Sequence, residues 1–274
     1  MATWFITGCS TGIGRATAEA AAAAGHTVIA TARQPQTLAD LVDQYPDTVI
    51  ALPLDVTDPA SIDTAVSAAL ALGPVDVLVN NAGIGYFSTI EDSDPAQARA
   101  VMDANFWGAA QVTTAFLPHL RERGTGHIIT VSSIAGVRGS AGMGYYCASK
   151  WAVSGFMEAL AKEVSHLGIR VTLIEPGPVL SQWIPSGQKV RTTHPDYAPI
   201  MNPYWDRIDH LPGNQPGDPH ALARIMLQVA QLPEPPLHLL AGQHAQTQGM
   251  VKAEALAEEI ERWEALGLSI DTRG

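Results

Sequence analysis

The amino-acid sequence predicts a doubly wound α/β fold with a mostly parallel sheet of about seven strands. Short runs rich in β-branched residues alternate with longer, Ala-rich helical stretches as far as about residue 176. Each short run is almost continuously apolar, as expected for strands that helices cover on both faces. Strands that alternate with helices in this way run parallel, and the pattern is typical of open α/β sheets.

The predicted strands are each bounded by glycine or polar residues. In chain order they are Trp4–Thr7, Thr27–Ala30, Val49–Leu52, Val75–Val79, His127–Ser132 and Arg170–Ile174, with a weaker seventh at Leu237–Leu240. Helices are predicted in the intervals between them. Asp58 and Asp94 each precede a proline and are predicted to cap a helix through their carboxylates, while Gly168 follows a helical stretch as a C-terminal cap. These signals fix where the helices start and stop.

The segment from Pro178 to Pro219 interrupts the alternation. It is rich in proline and aromatic residues, shows little regular patterning, and is too long for an ordinary connection. No linker or break in composition precedes it. The sequence therefore predicts a single domain over residues 1–274, with a substrate lid at about 178–219. A final amphipathic helix, roughly Ala253–Leu266, is predicted to serve packing or an interface.

Composition excludes several classes of protein. Of the 274 residues, 46% are hydrophobic and 16% are charged, which indicates a folded chain. The formal net charge of −11, without any Lys/Arg-rich run, argues against nucleic acid and anionic membranes as partners. The two cysteines, Cys9 and Cys147, are far apart, which favours a reducing compartment. With no signal-peptide pattern at the start and no apolar run of 18 residues, we expect a soluble, cytoplasmic protein.

A glycine-rich turn lies between the first strand and the first helix. It reads Thr7-Gly8-Cys9-Ser10-Thr11-Gly12-Ile13-Gly14. Glycines there allow a tight turn and a close approach of the backbone to a pyrophosphate at the helix N-terminus. The alternative is a turn that only caps the helix, but the strand–turn–helix context favours nucleotide binding.

The spacing of this turn, T-G-x-x-x-G-x-G, resembles that of the short-chain dehydrogenase/reductase family. Asn80-Asn81-Ala82-Gly83 after the fourth strand is similar to the family's N-N-A-G motif, and Pro176-Gly177 after the sixth is similar to its P-G motif. The motifs occur in the family's order from Met1 to about Leu180. The resemblance implies a Rossmann fold and a nicotinamide-dependent oxidoreductase of the family's single-domain branch.

The end of the second strand bears on which nicotinamide cofactor binds. It carries Arg33 and no carboxylate to accept hydrogen bonds from a ribose 2′-hydroxyl, and a guanidinium suits a 2′-phosphate. NADP(H) is therefore the preferred cofactor, with NAD(H) left open; in the alternative, Arg33 is a solvated surface residue. The family often has a basic residue where this chain has Thr11. The resemblance implies a cofactor site made of Gly8, Ser10, Thr11, Gly12, Ile13, Gly14, Arg33, Asp55, Val56, Asn81, Ala82, Gly83, Tyr146, Lys150, Pro176, Gly177 and Val179.

A tyrosine and a lysine four residues apart open a long helix. This spacing places Tyr146 and Lys150 on one helix face, whereas Tyr145 lies off it. A neighbouring ammonium lowers a phenol's pKa by roughly 1–3 units, towards the range useful for proton transfer. We therefore expect Lys150 to lower the pKa of Tyr146.

A pair of serines ends the fifth strand, at the sheet edge where open α/β sheets bind ligands. Strand alternation lets only one of Ser132 and Ser133 face the site, and the sequence alone does not choose between them. The resemblance selects Ser133, which lies 13 residues before Tyr146. It also implies that Asn105 is the catalytic asparagine, which completes a proton relay with the lysine.

Residues near these motifs predict an apolar substrate. No arginine or lysine occurs among them, so a small apolar carbonyl compound or alcohol is expected. Nine histidines form no metal-ligand pattern, and no metal is expected. The predicted pocket residues are Tyr86, Phe87, Val137, Leu180, Trp183 and Ile184, with Tyr204 or Trp205 as further candidates.

Three functions are consistent with these residues. The preferred one is an NADP(H)-dependent oxidoreductase that interconverts a ketone or aldehyde and its alcohol, with Tyr146 as general acid and base. The alternatives are a non-catalytic NADP(H) sensor or scaffold on the same fold, and an epimerase or dehydratase of the family's larger branch. By resemblance, a homodimer or homotetramer is expected through the long helices at about 95–121 and 146–166.

Overall fold

A computed structural model describes residues 1–271 and contains a seven-stranded parallel sheet. The strands are β1 (Thr3–Ile6), β2 (Thr27–Ala32), β3 (Val49–Pro53), β4 (Val77–Asn80), β5 (Tyr86–Phe87), β6 (Gly126–Val131), β7 (Ile169–Pro176), β8 (Gln188–Lys189) and β9 (His238–Ala241). The large sheet has the order β3-β2-β1-β4-β6-β7-β9. All its neighbouring pairs are parallel, while β5 and β8 form a separate small pair. The predicted fold class is confirmed.

The helices cover both faces of this sheet. They are α1 (Gly12–Ala23), α2 (Ala39–Gln44), α3 (Pro59–Leu72), α4 (Pro95–Met102), α5 (Gly108–Arg123), α6 (Gly144–Val164), α7 (Trp183–Ser186), α8 (Ala198–His210), α9 (Pro219–Gln231), α10 (Gln243–Arg262) and α11 (Glu264–Leu268). The carboxylates of Asp58 and Asp94 cap α3 and α4, as predicted. A π-helical turn, Asp103–Trp107, joins α4 to α5 within the stretch predicted as one helix.

The strand β1 shows why the predicted strands are continuously apolar. Its side chains alternate between the two faces, so Phe5 packs in one core cluster with α3, α5 and α6, whereas Trp4 and Ile6 pack in the other, with α1 and α9. All three are almost fully buried. Burying each such side chain contributes about 1.5–3 kcal/mol, so both faces favour large apolar residues.

The order of the strands creates the crevice for ligands. The strands β2 and β3 lie on one side of β1, and β4, the next strand of the large sheet along the chain, lies on the other side of β1. The helices that follow β1 and β4 therefore diverge, and ligands of open α/β sheets bind at this switch point. Hydrogen bonds from the backbone N–H groups of Asn81 and Ala82 to Thr7 Oγ1 hold the two strand ends together.

The segment 178–219 is more regular than predicted. It contains α7, β8 and α8, and α8 buries Met201, Tyr204, Trp205 and Ile208. Their spacing of three, four and seven residues forms one helix face. The prolines concealed this pattern, because one lies in the first turn, where it is tolerated, and another, Pro203, lies within the helix.

The last predicted helix begins ten residues earlier than expected. The helix α10 starts at Gln243 and α11 ends at Leu268, so together they cover the predicted stretch 253–266. The residues near its start are partly buried against the sheet, whereas Leu256, Ile260 and Trp263 are exposed. Within residues 1–271, these three side chains therefore do not show the packing role that is one of the two predicted for them.

A buried carboxylate joins the last two strands of the sheet. Glu175 on β7 is fully buried and lies 3.2 Å from Nδ1 of His238 on β9. The other ring nitrogen of His238 lies 3.5 Å from Glu158 on α6. Burial raises the pKa of Glu175, and the neighbouring His238 opposes that rise. His238, together with a hydrogen bond from Ser154, therefore offsets part of the cost of an ionised carboxylate at this position.

We expect His238→Gln to lower the melting temperature at neutral pH. The expected loss in the free energy of unfolding is about 1–2 kcal/mol; it is modest because solvent partly reaches the imidazole ring and screens the interaction. Removing the histidine raises the pKa of Glu175 further in the folded state. A carboxyl with a raised folded pKa destabilises the fold as pH rises through its ordinary value. The loss should therefore shrink near pH 4, where the carboxyl is protonated in both proteins. Equal losses at both pH values would contradict this account, and His166→Gln, at an exposed position, is the control.

Candidate active site

A large cavity opens at the carboxyl ends of the central strands. Its volume is about 1390 Å³, which exceeds the roughly 300–1,000 Å³ typical of one small-molecule pocket. Its wall includes parts of the glycine-rich turn, the N-N-A-G segment, the end of β6, the start of α6 and segment 178–219. The cavity therefore has room for a dinucleotide and a second ligand together.

The backbone of the glycine-rich turn requires glycine at three positions. Gly8 and Gly12 have φ angles of +72° and +64°, which favour glycine. A side chain at Gly14 would collide with the Asn81 side chain and with the carbonyl oxygen of Gly8. Asn81 Nδ2 donates hydrogen bonds to the carbonyls of Thr7 and Gly8 at 2.9 and 3.0 Å. Asn81 thus holds the turn in shape from the neighbouring strand.

Most of the predicted cofactor residues lie on the cavity wall. Gly14 is the exception, because it supports the turn from behind and is not part of the wall. The wall includes Gly8, Ser10, Thr11, Gly12, Ile13, Arg33, Asp55, Val56, Asn81, Ala82, Gly83, Tyr146, Lys150, Pro176, Gly177 and Val179.

The far end of this wall carries an exposed guanidinium. Arg33 follows β2 and makes no ion pair with any carboxylate in the described part of the chain. Asp40, the nearest acidic residue downstream, is held by two hydrogen bonds from Arg15 at 2.7 and 3.0 Å. Asp55 is held by Thr57, whose hydrogen bonds keep its pKa below the usual range, and Arg33 adds to this effect. The one cation at the end of β2 is therefore available to a ligand.

Tyr146 and Lys150 lie one turn apart on the buried face of α6. Lys150 Nζ is 5.9 Å from the centroid of the tyrosine ring, and both residues are 6% exposed, against 36% for Tyr145. Lys150 Nζ donates a 2.9 Å hydrogen bond to the carbonyl of Val131 at the end of β6. The helix therefore presents the expected pair to the cavity and turns Tyr145 away from it.

The electrostatics of this pair differ from the expectation. Burial raises the pKa of Tyr146, and the nearby Ser133 hydroxyl only partly opposes the rise. Burial lowers the pKa of Lys150 to about 8. The expectation that Lys150 lowers the pKa of Tyr146 is not met, because the ammonium is directed at the Val131 carbonyl and both groups lose solvent. The phenol is therefore held protonated at neutral pH.

The two serines at the end of β6 have different environments. Ser132 is buried and its hydroxyl contacts Ser154 Oγ at 3.1 Å and the Lys150 carbonyl at 3.4 Å, so it is directed into the packing beneath α6. Ser133 is half-buried, and its hydroxyl faces Tyr146. The geometry thus distinguishes the serines that the sequence left open, in favour of Ser133.

Asn105 lies in the π-helical turn, behind the cavity wall. Its Oδ1 accepts from the N–H of Ile84 at 2.7 Å, and its Nδ2 donates to the Ile84 carbonyl and to Ser149 Oγ, each at 3.0 Å. A side chain at Gly83 would lie 3.0 Å from Asn105 Oδ1 and 3.8 Å from Lys150 Nζ. Asn105 and Lys150 therefore flank Gly83. Isolated π turns are frequent at functional sites.

The predicted substrate pocket is only partly correct. Phe87, Trp183 and Ile184 line the cavity, and the Trp183 ring lies 4.7 Å from Tyr146 and 5.2 Å from Phe87. The other three predicted residues, Tyr86, Val137 and Leu180, do not form part of the wall.

The reasons for these three differences are local. Tyr86 and Phe87 are neighbours in a strand and point to opposite sides; the hydroxyl of Tyr86 accepts a 2.8 Å hydrogen bond from the N–H of Asp94 at the start of α4. Leu180 is 45% exposed. Val137 ends a short 3₁₀ turn and is half-buried beside it.

Several wall residues escaped the sequence analysis. Met143, one turn before Tyr146, is one of them. Of the two further candidates named from the sequence, Tyr204 reaches the wall from α8, whereas Trp205 is buried in the cluster beneath. Arg138 and Arg207 also line the cavity, so the expectation that no arginine occurs at the pocket is wrong. The helical spacing of α8 was the signal that could have placed Arg207 beside Tyr204.

The described residues show neither a metal cluster nor a membrane-spanning helix. Within residues 1–271, no three His, Cys, Asp or Glu side chains are grouped so that they could hold a metal ion. Over the same residues, no helix combines the length and apolar character needed to cross a bilayer.

The comparisons with known proteins identify the family. Residues 2–189 match the family model described as short chain dehydrogenase. The chain belongs to the short-chain dehydrogenase family. Like other members, it is an NAD(P)-dependent oxidoreductase, and the resemblance inferred from the motifs is confirmed.

Relatives of this short-chain dehydrogenase match most of its length. The oxidoreductase BOA17 of Botryotinia fuckeliana is 39% identical over 97% of this chain and 98% of its own. A solved short-chain dehydrogenase from Streptomyces avermitilis superposes with a TM-score of 0.91 at 37% identity, over 98% of this chain and 99% of that one. A serine dehydrogenase in complex with NADP⁺ has a TM-score of 0.75 at 27% identity, over 87% and 94%.

Proposed function

We propose that this chain is an NADP(H)-dependent oxidoreductase that interconverts a ketone or aldehyde and its alcohol. The observation that carries the proposal is the placement of Ser133, Tyr146 and Lys150 on one wall of the cavity that the glycine-rich turn also lines. A second ligand in that cavity would meet a hydroxyl, a phenol and an ammonium within one region.

The chemistry of reduction follows from these groups. The cofactor, when bound, supplies the hydride. The phenol of Tyr146 donates its proton to the substrate oxygen, and its raised pKa keeps that proton in place at neutral pH. The Ser133 hydroxyl orients the same oxygen by a hydrogen bond. The Ser133 hydroxyl also stabilises the phenolate that remains, since it opposes the rise in the pKa of Tyr146. Lys150 and Asn105, which flank Gly83, form the proposed relay that returns the proton.

The proposed preference for NADP(H) over NAD(H) rests on the end of β2. Arg33 is exposed on the cavity wall, and the carboxylate of Asp40 is engaged by Arg15. A planar guanidinium matches a 2′-phosphate. The NADP⁺ complex of the related serine dehydrogenase is consistent with this choice.

The proposed substrate has a bulky apolar body. Met143 and Trp183 pack with the catalytic phenol, and Phe87 and Ile184 pack with these two side chains on the same wall, so shape and apolar area recognise the ligand there. Segment 178–219, which carries two of these residues, acts as the lid. We further propose that the chain forms a single domain and acts in the cytoplasm. It assembles as a homodimer or homotetramer through α4, α5 and α6, near which Trp107 and Trp151 are exposed.

A panel of ketones with purified protein tests this function. We expect ketone-dependent oxidation of NADPH, followed by the loss of its absorbance, with the bulky apolar ketones turned over best. Binding of NADPH without turnover of any ketone would favour a sensor or scaffold. Conversion of a sugar nucleotide without net oxidation of NADPH would favour an epimerase, and either result would contradict the proposal.

A further inference from the structure

Two arginines line the cavity at the lid and at a loop that the lid contacts. Arg207 lies on α8 of the lid, and Arg138 lies in the loop after β6; neither the lid nor this loop contributes a carboxylate to the cavity wall. The two acidic wall residues, Asp55 and Asp103, lie in another part of the wall. Asp55 follows β3, and Asp103 is in the π-helical turn before α5. These two segments are neighbours, because Gly108 at the start of α5 packs on Val56. The chain as a whole is strongly acidic, with a net charge of −11. Two arginines without a nearby acid in one wall are therefore unexpected.

Neither arginine has an ion-pair or hydrogen-bond partner for its side chain in the described residues. Arg138 and Arg207 form no ion pair and donate no side-chain hydrogen bond to any residue of the described range 1–271, whereas Arg191, on the same lid, is paired with Asp209 at 2.6 Å. Their charges are therefore free for a ligand.

Local packing places Arg207 beside the loop that carries Arg138. The Arg207 guanidinium lies 5.5 Å from the centroid of the Tyr204 ring. The hydroxyl of Tyr204 donates a 3.2 Å hydrogen bond to the carbonyl of Gly142, in the loop that also carries Arg138. The ring fills the space beside Gly142, where a side chain would collide with it. The lid helix is thus seated on the loop, and Arg207 stacks on the tyrosine that joins them.

Apolar side chains separate this charged end from the catalytic phenol. Met143 and Trp183 pack both with Tyr146 and with the cluster of α8. A ligand whose carbonyl meets Ser133 and Tyr146 would therefore pass these two side chains before it reaches the arginines. The order along the wall is a reactive polar end, an apolar middle and a cationic end.

We propose that the substrate is an amphipathic carbonyl compound, with an apolar body and an anionic group at the end remote from the carbonyl, which Arg138 and Arg207 bind. This inference rests on the proposed function and specifies its substrate class. Carboxylate and phosphate share the required chemistry, since both accept charge-assisted hydrogen bonds from guanidinium groups.

A matched set of three substrates tests the inference. They are a medium-chain methyl ketone with a terminal carboxylate, its neutral methyl ester, and the counterpart with a terminal phosphate. With NADPH, we expect kcat/KM for the better anion to exceed that for the ester by about tenfold, since both arginines are exposed and partly screened. The anion with the higher kcat/KM shows whether the site prefers a carboxylate or a phosphate.

Variants assign the preference to the two arginines. We expect Arg138→Gln and Arg207→Gln each to reduce the ratio of kcat/KM for the anion to kcat/KM for the ester, and the double variant to bring this ratio to about one. Arg262→Gln, which removes the same charge at an exposed position on α10, should leave the ratio intact.

The outcomes separate the two proposals. Turnover of the ester with no preference for either anion would overturn the anionic site and leave the oxidoreductase function standing. An absence of turnover with all three substrates and with the ketone panel would overturn the proposed function itself. A preference that survives in the double variant would show that other groups recognise the anion and would also overturn this assignment.

Discussion

Tyr146→Phe is expected to reduce turnover at least ~10²-fold, the lower end of the effect of losing a general acid. The phenol is the group of the cavity wall that can hold a proton beside the Ser133 hydroxyl at neutral pH, because burial raises its pKa. The substitution removes only the hydroxyl and leaves the ring in contact with Trp183. NADPH binding, measured by fluorescence titration, should be nearly unchanged, since the glycine-rich turn is untouched.

The neighbouring tyrosine provides a matched control. Tyr145 precedes Tyr146 on α6 but is 36% exposed and lies outside the wall of the large cavity. Tyr145→Phe should therefore retain nearly full activity. If Tyr145→Phe were inactive and Tyr146→Phe active, the assigned helix face would be wrong. Thermal melts of both variants show whether any loss arises from unfolding instead.

The sheet could be predicted from the sequence because its constraints are local. A strand buried on both faces must be apolar at successive positions, as Trp4, Phe5 and Ile6 are. The glycine-rich turn was predictable for the same reason, since Gly8 and Gly12 need left-handed backbone angles that other residues rarely adopt. The spacing of Tyr146 and Lys150 likewise fixes one helix face without any tertiary information.

The electrostatics and the substrate side of the cavity depend on tertiary packing. Charge alone predicts that Lys150 lowers the pKa of Tyr146, but the desolvation that reverses the outcome comes from elements distant in sequence. Arg207 joins the wall because α8 folds back on the loop at Gly142. Similarly, the pairing of Glu175 with His238 requires two strands that are separated by more than 60 residues of chain. No local pattern contains these contacts.

Arg33→Asp is expected to reverse the preference between the two nicotinamide cofactors. In the unmodified protein, the exposed guanidinium at the end of β2 is available for a 2′-phosphate. A charge-assisted contact of this kind contributes about 1.5–3 kcal/mol, and the lower end applies to a solvated position, so kcat/KM for NADPH should fall about tenfold or more. An aspartate there would repel the phosphate and accept a hydrogen bond from the ribose 2′-hydroxyl of NADH.

The ratio of kcat/KM for NADPH to that for NADH is the decisive measurement, because effects on folding or on the chemical step cancel in it. Arg121→Asp, at an exposed position near the end of α5 and outside the cavity wall, makes the same change in net charge and should leave the ratio unaltered. Raising the salt concentration should weaken NADPH binding more than NADH binding in the unmodified protein, because the contact is between exposed charges. An unmodified protein that prefers NADH, or a ratio that Arg33→Asp does not change, would show that Arg33 is a solvated surface residue and that the choice of cofactor is made elsewhere.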